Sequence, residues 1–164
     1  MTRAAGRLVL LAALVGAMGA VSSWGQEGEK GKQEHIFVSP GDEKWGEGPP
    51  SLPPGAKVAV LEGDPKKEGF FVMRVKIPAG YKVMPHWHPA YERQTIISGA
   101  FNLGLGEKFD EGKGRKLVAG SYFSIPPKTA HFAFVKEETI IQINTMGPWT
   151  LTYLNPEDDP RNKK

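Results

Sequence analysis

No cysteine occurs in the 164 residues, so no disulfide can brace the fold and no thiolate can serve as nucleophile or metal ligand. A sustained 3.6-residue apolar period is missing too, which predicts very little helix. Basic patches interleaved with aromatics are absent. Lys30 and Lys32, like Lys66 and Lys67, read as solvated loop charges, and nucleic acid is not an expected partner. The apolar stretch from Leu8 to Ala20 falls short of the roughly 20 residues that a membrane span requires. Neither a Ser–His pair nor a Gly-rich phosphate loop can be identified, and no separate general acid or base stands out.

What the chain does contain begins with a leader-like segment. Met1 to Arg7 carries Arg3 and Arg7 without an acid, and the first acidic residue is Glu27. A short basic start, an apolar centre and a small-residue exit predict a secretory signal peptide over 1–25, with cleavage after Ser23 or Gly25. The competing reading is a buried or membrane-anchoring N-terminal helix. Removal of 1–25 takes the net charge from +3 to +1, so part of the basic character belongs to the leader. A secreted or periplasmic location follows, with no stable membrane insertion after cleavage. About 140 residues remain, enough for one well-buried core.

Residues 26–56 are rich in Gly, Pro, Glu and Lys and include the pairs Pro49–Pro50 and Pro53–Pro54. They predict an extended arm rather than a packed element, pinned at most by Ile36, Phe37, Val38 and Trp45. From Lys57 the texture changes to short Val-, Ile-, Phe-, Tyr- and Thr-rich runs separated by Gly- and Pro-bearing turns. Strands are expected near 57–62, 69–77, 81–86, 91–98, 100–105, 116–118, 121–125, 131–136, 138–145 and 149–154. Ser98-Gly99-Ala100 reads as a tight hairpin turn, and Glu107 to Arg115 as an exposed loop. The expected fold class is all-β, a single sandwich or barrel domain over 57–155. A charged tail at 156–164 should fray.

Three histidines fall in two informative settings. In the first, His86 and His88 stand two apart on a strand and so can aim two imidazoles at one point. Pro89 prevents that strand from simply continuing, and Glu92 opens the next one, where its carboxylate can come alongside both rings. Such a set suits Zn, Fe, Mn, Co or Ni as a divalent ion. In the second, a strand ends at Pro126, a turn follows, and His131 can supply a third imidazole from across the barrel. His35, in the arm, receives no role.

These residues carry a resemblance to the cupins over about 57–154. The first cupin motif is Gly, five residues, His-x-His, three or four residues, Glu, six residues and Gly. Gly80, His86, His88, Glu92 and Gly99 satisfy it throughout. The second is Gly, five residues, Pro-x-Gly, two residues, His, three residues and Asn. Gly120, Pro126 and His131 match, whereas Lys128 stands for the Gly and Val135 for the Asn. The resemblance implies a double-stranded β-helix (jelly-roll) barrel with one metal held in its mouth by His86, His88, Glu92 and His131. It also implies pairing of barrels through edge strands, so a homodimer is an expected assembly, with the arm able to exchange across it.

Strand parity assigns the neighbours. Trp87, Tyr91 and Arg93 should face away from the ligands, while Gln94 and Ile96 share the face of Glu92, and Ala133 and Val135 that of His131. Gln94 is the polar side chain expected beside the metal, as a pocket group or as a hydrogen-bonder to a ligand. Gln142 and Asn144 alternate with Ile141 and Ile143, and one of the two sets must line the interior. Gln142 is therefore a candidate pocket residue, although Phe71, Met73 and Val75 predict an apolar wall. Lys82 falls with His86 and His88 by parity, and Arg74 falls opposite Met73. Open metal positions would allow action on a small oxygen-bearing molecule by a dioxygenase, isomerase or decarboxylase. The other readings are a non-catalytic binder of a small ligand or metal, and a metal that only stabilises the barrel.

Overall fold

The computed structural model describes residues 35–163; the leader at 1–25, residues 26–34 of the arm and Lys164 lie outside the described residues. Eleven strands occur among them: β1 Gly46–Glu47, β2 Lys57–Glu62, β3 Gly69–Ile77, β4 Lys82–Trp87, β5 Glu92–Ser98, β6 Ala100–Leu105, β7 Arg115–Val118, β8 Tyr122–Ile125, β9 His131–Val135, β10 Thr139–Gly147 and β11 Thr152–Tyr153. All pair antiparallel, in one sheet of order β1-β2-β3-β10-β5-β8 and a second of order β11-β4-β9-β6-β7. The all-β double-stranded architecture is as expected. The predicted strands recur within a few residues of their bounds, apart from the last, which shrinks to Thr152–Tyr153.

Period-two alternation builds the interior. Phe71, Met73, Val75 and Ile77 of β3 are buried, as are Thr139, Ile141, Ile143 and Thr145 of β10. Ile141 pairs with Val75 and Ile143 with Met73 across the two strands, so the apolar residues of both face inward together. Strand β9 is buried along its whole length because it is covered on both faces. Its outward-facing Phe132 and Phe134 are met by Phe109, with ring centroids 5.0 and 5.9 Å away. The 107–115 loop is thus more than an exposed connection: it carries an aromatic lid for β9, and Asp110 caps a 3-10 turn at Glu111–Lys113.

Two expectations about the ends change. The arm nearest the barrel is packed: β1 pairs with β2, Ser51 and Ala56 are buried, and Ile36 and Phe37, expected to pin it, are exposed. Lys76 lies over the expected anchor Trp45 at 4.5 Å, and two tyrosine hydroxyls add to the pinning, with Tyr81 donating to the Pro53 carbonyl and Tyr153 donating to that of Ser51. Sequence patterning misses this because backbone carbonyls are the acceptors. At the other end, the tail forms 3-10 turns at Pro156–Asp158 and Pro160–Asn162 instead of fraying. Asn155 and Asp159 cap these turns, and Arg161 donates to the Leu151 carbonyl at 2.9 Å.

The Ser98-Gly99-Ala100 hairpin has a firm steric cause. Gly99 sits at φ +72°, and a Cβ there would lie 2.4 Å from the Glu138 carbonyl oxygen. Only glycine fits.

Candidate metal centre

β4 and β9 are neighbours, and their register sets His86 directly opposite His131. His88 follows two residues after His86. The three rings are buried, with centroids 4.2 Å apart for His86–His131, 5.0 Å for His86–His88 and 5.3 Å for His88–His131. One ligand atom from each lies within 4.8 Å of the others, so the three histidines can hold a metal ion.

The ring orientations follow from hydrogen bonds behind them. His86 Nδ1 meets the Met84 carbonyl at 2.7 Å, His88 Nδ1 that of Thr150 at 2.9 Å, and His131 Nδ1 that of Thr129 at 2.9 Å. A carbonyl oxygen only accepts, so each Nδ1 carries the hydrogen and donates. In a neutral ring the lone pair is then left on Nε2. Carbonyl partners of this kind fix the tautomer and direction of metal-binding imidazoles.

Glu92, fully inside the barrel at the start of β5, closes the group. Its Oε2 lies 3.0 Å from His131 Nε2 and its Oε1 lies 3.1 Å from His88 Nε2. The second approach has the distance of an ion pair without the direction of a hydrogen bond, and His88 Nε2 has no hydrogen-bond partner. A buried nitrogen lone pair without a partner is what a metal would satisfy. The three imidazoles fit a divalent ion, and Glu92 contacts two of them.

Charge placement agrees. Burial disfavours a charged His86, and His131 and His88 nearby add to this, so its pKa lies well below the ordinary histidine range. Burial acts in the same direction on His88, yet the Glu92 carboxylate beside it outweighs burial and raises its pKa. For Glu92, burial alone would push the pKa up, but His88 and His131 hold it well below the usual carboxylate range. Metal-free, the site is therefore a carboxylate facing imidazoles, with His86 held neutral.

The cavity in front of these groups measures ≈ 40 Å³ and is lined by all four of them and by Gln94. Gln94 is buried, and its Nε2 donates to Glu92 Oε1. It shares the buried face of β5 with Glu92. Gln142 is not in the cavity. It lies on the opposite face of β10, accepting from Arg74 Nε at 3.2 Å and donating to Asn144 at 3.3 Å, while Ile141 and Ile143 line the interior. Burying the isoleucines on that face removes more apolar area from water than burying the amides would. Arg74 in turn pairs with Glu43 on the outside. Lys82 also turns outward, to Glu111 at 2.8 Å. Its parity with His86 is broken by a register irregularity between Val83 and His86, so that Val83 lines the cavity instead. Pro85, which has no N–H for the ladder, sits in that irregular stretch.

Several residues of the site carry no sequence signal. Trp149 stacks on His88, with centroids 5.4 Å apart and planes inclined by 20°. Leu52 and Ala56, from the arm, form part of the wall, as does Tyr81. The turn before His131, expected from Pro126, takes a form that explains the Lys128 departure. Pro126-Pro127-Lys128-Thr129 closes with a Thr129 N–H to Pro126 carbonyl bond of 3.4 Å, and Lys128 takes φ +60°. Proline second and a left-handed residue third is the type II pattern, which explains why glycine is the usual residue there. Lys128 N–H also donates to the His88 carbonyl at 2.9 Å, tying the turn to the first histidine pair.

No curated protein sequence matches the chain. The family described as Domain of unknown function (DUF4437) matches residues 30–152. Among solved structures, the chain resembles a candidate acetylacetone dioxygenase from Methylibium petroleiphilum PM1, at 19% identity over 80% of this chain and 88% of that one, with a TM-score of 0.58. It also resembles the polyketide cyclase RemF from Streptomyces resistomycificus, at 16% identity over 78% and 91%, with a TM-score of 0.56. An RmlC-like cupin from Shewanella frigidimarina NCIMB 400 aligns at 16% identity over 69% and 90%, with a TM-score of 0.52. These likenesses show the cupin fold.

Proposed function

The chain belongs to the DUF4437 family and has a cupin barrel, and from that premise we propose that it is an exported metalloprotein whose site binds one divalent transition metal and acts on a small oxygen-bearing molecule. The observation that carries this reading is the common orientation of His86, His88 and His131, each with Nδ1–H committed to a backbone carbonyl and Nε2 left as the donor. Zn, Fe, Mn, Co and Ni all accept imidazole and carboxylate donors. Bound there, such an ion would polarise a carbonyl or activate water or dioxygen.

The chain's own residues supply the remaining properties. Glu92 brings negative charge to the site, its two oxygens engaged by Gln94, His88 and His131. Val75, Ile141, Ile143 and Leu151 keep the cavity apolar, which strengthens each electrostatic contact inside it. Trp149 covers His88 on one side. The leader-like segment at 1–25 supports export, and the mature domain would act as a soluble protein on a diffusible molecule.

One observation favours a second reading, a non-catalytic binding module. Outside the three histidines and Glu92, the only titratable cavity residue among the described residues is Tyr81, and its hydroxyl already donates to the Pro53 carbonyl. Proton transfer would therefore rest on Glu92. The deciding experiment loads the mature domain with each candidate metal and screens small carboxylates, diketones and phenols for turnover and oxygen uptake. Metal-dependent turnover lost in His86→Ala supports the enzyme. Ligand-induced thermal shifts without turnover support the binder.

A further inference from the structure

Three buried side-chain atoms lack a hydrogen-bond partner among the described residues: His88 Nε2, Gln94 Oε1 and Trp149 Nε1. The first is explained by the metal site. The second has no explanation within the protein.

Gln94 is 3% exposed and lines the cavity. The end of its amide that faces Glu92 has to be the NH2 group, because a carboxylate oxygen can only accept. This fixes the flip of the amide and leaves the carbonyl oxygen as the bare end. Within the barrel, Ile143 is the β10 partner of Gln94 and Phe123 its β8 partner, so its strand neighbours offer no side-chain donor. Among the described residues, no lysine or arginine lines the cavity. A buried acceptor left unpaired is unfavourable, and one on a residue that lines a ligand cavity can discriminate against ligands that leave it unpaired.

From this we infer that Gln94 is a specificity-determining residue: its bare Oε1 selects ligands that present an O–H or N–H donor next to the atom approaching the three imidazoles. The favoured class is an apolar-bodied enol, phenol or alcohol, or a heterocycle with an adjacent N–H, over the corresponding ether, ester or N-alkyl compound. The inference rests on the metal-site reading only in placing the ligand's other end at the histidines.

The test uses pyrazole, a small ring with a ligating nitrogen beside an N–H, and 1-methylpyrazole, which keeps the ligating nitrogen and lacks the donor. Both are titrated calorimetrically into the mature protein and into Gln94→Met, which keeps the length of the side chain and removes the acceptor. The change in the pyrazole-to-methylpyrazole affinity ratio between the two proteins removes the steric effect of the methyl group. The ratio should fall at least about fivefold in Gln94→Met. An unchanged ratio overturns the inference, as does absence of pyrazole binding to wild type; a resident water satisfying the carbonyl would give the unchanged ratio. If Gln94→Met fails to fold, Gln94→Leu is read by the same ratio. Metal content of the same samples separates the two levels. Metal-free wild type contradicts the proposed function, whereas metal-loaded protein with an unchanged ratio contradicts only the role of Gln94.

Discussion

His88 donates through Nδ1 to the backbone oxygen of Thr150, 62 residues further along the chain, at 2.9 Å. The bond sets the ring's tautomer from a loop that shares no motif with it. The same device recurs at His86 and His131 with carbonyls two residues away. Nitrogen-15 NMR of the metal-free protein at neutral pH should show His86, whose pKa is held low, as the neutral Nδ1–H tautomer. An Nε2–H signal for His86 would contradict the orientation described.

Acid should weaken metal binding earlier than at an ordinary histidine site. A metal must displace any proton on its ligands. His88 has its pKa raised by the Glu92 carboxylate, so as pH falls it protonates before His86, whose pKa is lowered, while Glu92 remains a carboxylate. Affinity should begin to fall at a higher pH than an unshifted histidine would dictate, by up to about tenfold per pH unit while one proton competes. Calorimetry in buffers of different ionisation heat would count the proton released. Affinity that is flat from pH 8 to 6 would contradict the assignment.

Glu92→Gln keeps the three imidazoles and removes the charge that contacts two of them. Metal affinity should fall at least about tenfold, and the pKa of His88 should drop because its opposing carboxylate is gone. Competition against a chelator measures the first and NMR titration the second. Unchanged affinity would place Glu92 outside the metal's environment.

Lys128→Gly should stabilise the fold. A side chain at positive φ costs about 1–2 kcal/mol, while the extra freedom of glycine in the unfolded chain takes back about 0.4–1 kcal/mol. The balance is a gain of about 0.5–1 kcal/mol, or a melting point higher by about 2–4 °C. Differential scanning calorimetry checks it, and a lower melting point would contradict the strain at this turn.

Much of this architecture was legible in the chain because strand signals are local. Alternation in 69–77 and 138–145 located β3 and β10, and the Gly80 to Gly99 spacing brought His86, His88 and Glu92 together. What escaped was non-local or lacked a side-chain pattern. Thr150 acts through its carbonyl, Ser51 and Pro53 through theirs, and the irregularity near Pro85 reversed the parity that had put Lys82 beside the histidines. Gln142 was ambiguous because polar and apolar residues alternate equally well on either face of β10. Only pairing with β3 settles which face is inside.

The most direct measurement is the metal content of the purified mature domain, by plasma mass spectrometry, beside that of a His86→Ala/His88→Ala double variant. The account predicts about one equivalent of a divalent transition metal in the wild type and almost none in the variant, which should still fold because its core is carried by β3, β9 and β10. Wild-type protein that stays metal-free after incubation with each candidate ion, or a double variant that keeps a full equivalent, would contradict it.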